Sequence, residues 1–465
     1  MSSSTIDVQG TGAETAAPAV PAVSVVESPV GPVPVPEPAE LLPRPEPALG
    51  TAAVLGMGYV GLPTSLALAG AGFNVIGVDV SERRLDAIRA GAADMLPRDR
   101  MRLERMGNSH RMRLTTEAAA LAEADTIFIC VPTPVDDDLR PDLTYLRAAC
   151  ATVVEQARAG QLILLTSTTY VGTTTDLLTQ PLWDRGLVPG DDVFVAFSPE
   201  RIDPGNATNR QEDVPRVVGG ATEECTERAA DVVARIAGHA HRVSCPETAE
   251  LCKLYENSFR AVNIGFANEM ADASRRLGLD PVEVLDAAAT KPYGFMAFHP
   301  GAGVGGHCIP CDPHYLLENL RGVSADAPIL ARAMQAIAVR PHRVVERARE
   351  LLAGAGAPVS GARVLVVGAS YKPGVMDTRE SPALEIIHGL RAMDAEVAFH
   401  DPLVRTLEVA AEVPLPSVAL PNPDAYDLVI VVTVHPGFDY EWLRGCAQVL
   451  DCTYRTPGGI IRSVI

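Results

Sequence analysis

The sequence contains no run of about 18 apolar residues, so no segment is expected to span a bilayer as a helix. It opens without a basic stretch followed by an apolar core, so no secretory signal is read and a cytoplasmic setting is expected. Positive charge is scarce: 39 Lys and Arg against 58 Asp and Glu leave a net charge of −19. A field of that sign argues against nucleic acid or an anionic membrane as a main partner, while leaving room for a local basic pocket that takes a phosphorylated small molecule. The nine cysteines are scattered and odd in number, which is no disulfide framework and fits a reducing compartment. No short internal repeat is present. What remains is a chain of 465 residues with 47% hydrophobic and 21% charged residues, enough for two to four domains at roughly 100–200 residues each.

Residues 1–50 stand apart. Ten prolines lie between Pro18 and Pro47, mixed with Ala, Val and Glu. Such a segment buries too little apolar surface to offset its ordering entropy, so a disordered, partly polyproline-II tail is expected. From Thr51 onward, short apolar strands (51–55, 73–78, 126–131, 161–167 and 193–197) alternate with helical stretches such as 62–71 and 82–90. That alternation predicts a parallel, doubly wound sheet over residues 51–245. Residues 247–277 then form one long helical pattern interrupted only by Gly265, a central helix of about 45 Å. With a glycine-rich loop and a further helical stretch it makes up a middle unit, 246–350. Strands at 363–367, 396–400 and 428–432 predict a second α/β unit over 351–465. The expected architecture is two Rossmann-like units joined by a long central helix and a helical dimerisation domain.

Gly56-Met57-Gly58-Tyr59-Val60-Gly61 is a G-x-G-x-x-G at a strand-to-helix turn. The first glycine permits the turn, the second lets backbone approach a pyrophosphate, and the third allows close helix–strand packing. The phosphates would rest on the helix N-terminus. Asp79 ends the next strand, where a carboxylate accepts hydrogen bonds from the adenosine ribose and repels a 2′-phosphate, so NAD is favoured over NADP. Arg84 either closes over the adenosine side or is a solvated helix residue; spacing does not choose.

The segment His299-Pro-Gly-Ala-Gly-Val-Gly-Gly-His-Cys-Ile-Pro-Cys-Asp-Pro313 is glycine-rich up to Cys308, as close ligand approach would require. Cys308 and Cys311 could pair around a metal, although the chain offers no second C-x-x-C. They could form a redox pair. Alternatively Cys308 alone could be a nucleophilic thiolate beside a bound nicotinamide: a thiol adds to an aldehyde, and loss of a hydride leaves a thioester.

From about residue 51 to near its end, the chain resembles the UDP-glucose/GDP-mannose dehydrogenase family. The resemblance is carried by residues 56–61, Val131-Pro-Thr-Pro134, Ser167-Thr-Thr-Tyr-Val-Gly172 and Phe197-Ser-Pro-Glu-Arg-Ile-Asp-Pro-Gly-Asn206. It continues through Ala249-Glu-Leu-Cys-Lys-Leu-Tyr-Glu-Asn257, Asn268-Glu269, Gly305-Gly-His-Cys308, Lys372-Pro-Gly374 and Asp377-Thr-Arg-Glu-Ser381. The family oxidises a sugar C6 alcohol to a carboxylate in two NAD-dependent steps. The resemblance implies that Cys308 is the nucleophile, that Lys253 with Asn257 stabilises the developing oxyanion, and that Asp312 assists the thiol or a water. It implies that Glu200 serves thioester hydrolysis and that Thr168 contacts cofactor and ordered water. Pro132, Thr133 and Arg379 would join the cofactor side. Arg201, Gly305, Gly306 and Lys372, with Glu200, Lys253 and Asn257, would face the substrate. The stretches 198–206 and 290–301 resemble the branch acting on UDP-N-acetylhexosamines, most of all UDP-N-acetylglucosamine. No metal is implied. In the family the central helix builds a two-fold dimer. A homodimer or higher oligomer is therefore expected through Ala261, Val262, Ile264, Phe266, Ala267 and Met270, with Gly265 and Ala267 small enough to admit another helix.

Overall fold

The computed structural model describes residues 49–93, 95, 97–106, 111–136, 138–201, 211–409, 414–456, 460 and 462–465. The expected disordered tail lies outside the described residues except for Leu49 and Gly50, as does the part of the 197–206 motif from Ile202 onward.

The first unit is built on an eight-stranded sheet. Its strands are β1 (Thr51–Leu55), β2 (Asn74–Val78), β3 (Met112–Thr115), β4 (Thr126–Ile129), β5 (Leu162–Leu165), β6 (Phe194–Phe197), β7 (Arg216–Gly220) and β8 (Ala240–Val243). The order is β3-β2-β1-β4-β5-β6-β7-β8. Side chains alternate across it: Ala52 and Val54 enter one apolar cluster, Ala53 and Leu55 the other. Burial on both faces explains why the strands read as near-continuous apolar runs, as parallel strands covered by helices do.

The sequence reading lacked three of these strands. β3 is a half-buried edge, β8 is an edge strand carrying exposed His241 and Arg242, and β7 opens on a buried arginine and closes on two glycines. None shows an apolar run. The sheet also departs from the all-parallel expectation at one ladder, since β7 runs antiparallel to β6. Antiparallel neighbours need no helical crossover between them.

The central helix spans Pro246–Arg276, with proline at its first position, where the missing N–H costs nothing. Gly265 does not break it. A Cβ there would lie 3.5 Å from the Ala333 carbonyl oxygen, in helix Pro328–Ala338 of the same chain. The helix that Gly265 admits is therefore an internal neighbour and not, as expected, a second protomer. Ala261 joins Ile309, Leu330, Met334 and Ile337 in the same packed cluster. Among the described residues no helix is long and apolar enough to cross a membrane.

The second sheet has five parallel strands in the order Glu396–His400, Arg363–Val367, Leu428–Val431, Val449–Asp451 and Ser463–Val464. Val364 and Val366 face one apolar cluster, Leu365 and Val367 the other, so this Rossmann-like unit is also covered on both sides.

Candidate active site

The glycine loop follows β1, and each glycine answers a different demand. Gly56 has φ +92°, and a Cβ on it would lie 2.6 Å from the Cys130 carbonyl oxygen. A Cβ on Gly61 would lie 1.7 Å from the Gly56 carbonyl oxygen. A Cβ on Gly58 would meet nothing within 4 Å, so this glycine meets no internal packing need and leaves the backbone approachable from outside. Asp79 ties the loop to the end of β2: its Oδ2 accepts from Met57 N–H at 2.8 Å and its Oδ1 from Ser81 N–H at 2.9 Å. Arg84 Nε donates to the Met57 carbonyl at 2.8 Å, so this side chain closes back on the loop and is not a solvated helix residue. Val60 stands at the N-cap of the following helix. From the C-terminal unit, the Arg379 guanidinium lies over the Tyr59 ring at 4.5 Å, steadied by Asp377 at 2.8 Å. Open backbone at a helix N-terminus, with a carboxylate at the end of β2, fits the pyrophosphate and ribose of NAD. Pro132 and Thr133 follow β4, the neighbour of β1, at the same carboxyl edge. Buried Tyr315 donates to the Pro134 carbonyl at 3.2 Å and so holds that segment.

A buried polar network lies along the inner face of the central helix. Lys253 Nζ donates to the Glu200 carbonyl at 2.9 Å. One turn on, Asn257 Nδ2 donates to Asp312 Oδ2, and the Thr168 hydroxyl bonds the same carboxyl group. Asp312 is buried, and burial pushes its carboxyl up to about 6, against the opposing pull of Lys253 and the two hydrogen bonds. Asp312 opens the helix Asp312–Gly322, and its N–H donates to the Cys308 carbonyl at 2.8 Å, so Cys308 sits one turn ahead of it. Cys308 is exposed. Cys311 is buried, and burial pushes its thiol up to about 12. A thiol so resistant to ionisation is a poor metal ligand and a poor redox partner, which favours Cys308 acting alone.

Two residues escaped the sequence reading. Arg216, buried at the start of β7, pairs with Glu200 at 3.0 Å and anchors that carboxylate, whose other oxygen accepts from Arg201 N–H at 2.8 Å. The clue was a charge opening an otherwise apolar strand. Glu250, fully buried on the central helix, accepts from Gly172 N–H at 2.6 Å, Thr174 N–H at 2.8 Å and the Thr174 hydroxyl at 2.6 Å. It fixes the turn that leads from Thr168. Its clue was its place on one helix face with Lys253 and Asn257.

Other expected residues make contacts within the chain. Arg201 is engaged by Glu256 and by the Pro215 carbonyl at 2.7 Å. Gly305 and Gly306 meet a close-packing need within the chain. A Cβ on Gly305 would lie 2.4 Å from the Glu380 carbonyl oxygen, and one on Gly306 2.9 Å from the Tyr371 ring. Gly306 N–H donates to the Arg379 carbonyl at 3.0 Å. The Cys308 loop is thus seated on the segment that carries Lys372 and Arg379.

Comparison with known proteins agrees with this geometry. The model of the NAD-binding domain of the UDP-glucose/GDP-mannose dehydrogenase family matches residues 51–237, that of the central domain 247–337, and that of the UDP-binding domain 365–454. A UDP-N-acetyl-D-mannosamine dehydrogenase of Pyrococcus horikoshii is 34% identical over 388 residues, 83% of this chain and 90% of that one. A UDP-N-acetyl-D-glucosamine 6-dehydrogenase of Pseudomonas aeruginosa is 31% identical over 389 residues, again 83% and 90%. The solved structure of the UDP-D-ManNAc dehydrogenase from Pyrococcus horikoshii superposes with a TM-score of 0.80 at 30% identity, over 89% of this chain and 99% of that one. A UDP-glucose dehydrogenase from Pyrobaculum islandicum superposes at 0.76, 30% identical over 89% and 96%. Three domain matches in family order, on a chain whose first sheet carries an NAD-competent loop, place it in the UDP-glucose/GDP-mannose dehydrogenase family as an NAD-dependent UDP-sugar dehydrogenase.

Proposed function

We propose that this enzyme oxidises the C6 alcohol of UDP-N-acetylglucosamine to the carboxylate, releasing two hydrides and consuming one water. The observation that carries this reading is the exposed Cys308 one turn ahead of buried Asp312, whose carboxyl group is held by Asn257 and Thr168. NAD, when bound, supplies the hydride acceptor for each oxidation. Lys253, steadied on the Glu200 carbonyl, stabilises the oxyanion that develops at C6, with Asn257 beside it. The Cys308 thiolate adds to the C6 aldehyde and forms a thiohemiacetal, which retains the aldehyde between the two oxidations; loss of the second hydride leaves a thioester. Asp312 and Glu200 position and deprotonate the water that attacks it, and the acid leaves as Cys308 regains its proton. Residues 56–61, Asp79, Arg84, Pro132, Thr133, Thr168 and Arg379 line the cofactor side. Arg201, Gly305, Gly306 and Lys372 line the sugar-nucleotide side. The corresponding division is 51–245 for NAD, 246–350 for the central unit and 351–465 for the UDP-sugar.

A second reading is UDP-N-acetylmannosamine, favoured by the 34% identity to a dehydrogenase of that name. NADH release with a panel of UDP-sugars decides. Two NADH per UDP-N-acetylglucosamine with the highest kcat/KM supports the first reading; preference for the mannosamine or glucose nucleotide overturns it.

We further propose a homodimer. Leu251, Tyr255, Phe259, Phe266 and Met270 all stand exposed along the central helix. A stripe of that kind along one helix is self-complementary about a two-fold axis, so a second copy covers it.

A further inference from the structure

Beneath the loop that carries Lys372 lies a buried cluster that no step of the reaction uses. It sits at the carboxyl ends of the three adjacent strands Arg363–Val367, Glu396–His400 and Leu428–Val431. Asp401 and His435 are 4% and 1% exposed, so neither side chain can touch a substrate. Asp401 Oδ2 accepts from Ala369 N–H at 2.7 Å and Ser370 N–H at 3.1 Å, the residues entering the loop. His435 Nδ1 accepts from Gly374 N–H at 3.0 Å, just past Lys372. An Nδ1 that accepts leaves the ring proton on Nε2, which faces Asp401 Oδ2 at 3.1 Å and donates to it. The Thr433 hydroxyl donates to the Ser370 carbonyl at 2.7 Å. The loop is therefore pinned on both sides of Lys372, and its two pins are joined to each other through the His435–Asp401 bond. Gly368 shows how closely the base is packed: its φ is +88°, and a Cβ there would lie 2.2 Å from the Thr433 carbonyl oxygen. The same loop presents Tyr371 to Gly305 and Gly306, ahead of Cys308.

We propose that Asp401, His435 and Thr433 are positioning residues that hold the Lys372 loop in the form that binds the UDP-sugar. They set affinity for the sugar nucleotide without contacting it. This rests on the reading of Lys372 as a substrate contact. The glycine loop proposed to take NAD belongs to the other Rossmann-like unit, and Arg379, the residue of this segment on the cofactor side, is held by its own ion pair with Asp377, so loosening the cluster acts chiefly on the sugar nucleotide.

The test uses the full-length enzyme with the UDP-sugar that gives the fastest NADH release. KM for sugar and for NAD are measured separately for H435F, H435Q, T433V, K372A and the double variant H435F/K372A. H435F leaves Gly374 N–H without its acceptor and cuts the link between the two pins, while Asp401 Oδ2 keeps its bonds from Ala369 and Ser370; it should raise the sugar KM about tenfold while changing the NAD KM less than about twofold. H435Q retains an acceptor and a donor and should recover most of that loss. T433V removes one bond at nearly constant volume and carries the same test should H435F fail to fold. K372A should raise the sugar KM at least as far, and H435F should add little on that background, because both act through one side chain. A sugar KM raised in K372A but unchanged in H435F and T433V overturns the proposal alone. A sugar KM unchanged in K372A overturns the reading of Lys372 and the proposal with it. Equal effects on both KM values, or full additivity in the double variant, also overturn it.

Discussion

Cys308 and Cys311 stand one helical turn apart in opposite surroundings, one exposed and one buried with its thiol pushed up to about 12. Replacing Cys308 by Ala should abolish carboxylate formation and leave NAD binding intact, as an NAD titration followed by fluorescence would show. Cys311→Ala should keep most turnover; equal loss at both positions would point to a paired-thiol role. Asp312 gives a pH signature. Burial raises its carboxyl to about 6, so it is protonated below that value and ionised above it. If the ionised form serves the reaction, kcat should fall as pH drops through about 6, and Asp312→Asn should remove that limb along with roughly a hundredfold or more of kcat. The stability sign is opposite. A raised acid pKa contributes stability fully present below the unfolded value near 3.9 and lost as pH rises through about 6, so Asp312→Asn should gain relative stability above that range. Urea midpoints at pH 4 and pH 8 would check it.

At the scale of elements, the strand–loop–helix at β1 separates folding from binding within one motif. Gly61→Ala places a carbon 1.7 Å from a carbonyl oxygen that belongs to the same turn, so it should unfold or badly distort the first unit. Gly58→Ala meets no atom of the protein. It should leave the thermal melt within a few degrees of wild type and weaken NAD by about tenfold or more, since the methyl would cover backbone that the proposed pyrophosphate site leaves open. A Gly58→Ala variant with unchanged NAD affinity would remove the loop from the cofactor site. β7 supplies the companion case: Arg216→Met should cost about 3–5 kcal/mol, because it removes the cation that is ion-paired with the buried Glu200 carboxylate.

For the molecule as a whole, the central helix divides its apolar residues between two tasks. Ala261 and Gly265 pack within the chain, while Phe259, Phe266 and Met270 stay exposed. Phe266→Glu should therefore split the proposed dimer without unfolding the protomer, because residue 266 is half exposed in the isolated chain. Light scattering of wild type and variant would decide, and a fully active wild-type monomer at micromolar concentration would refute the dimer. Deletion of residues 1–48, a composition with no core-forming pattern, should leave turnover nearly unchanged.

The local chemistry was legible in the sequence. The glycine spacing at 56–61, the carboxylate at Asp79, the long proline-free pattern of the central helix and the five apolar strands of the first sheet each follow from short-range rules of turn geometry and periodicity. Edge strands β3 and β8 and the antiparallel β7 did not show, because a half-covered or glycine-ended strand has no apolar run to mark it. Nor could spacing choose between the roles of Cys308 and Cys311, or tell that Gly265, Gly305 and Gly306 make room for other parts of the same chain. Those outcomes depend on burial and on which distant segment arrives beside each residue. Desolvation of Asp312, the Arg216–Glu200 pair and the His435–Asp401 support under Lys372 join residues far apart in sequence, and only packing brings them within hydrogen-bonding distance.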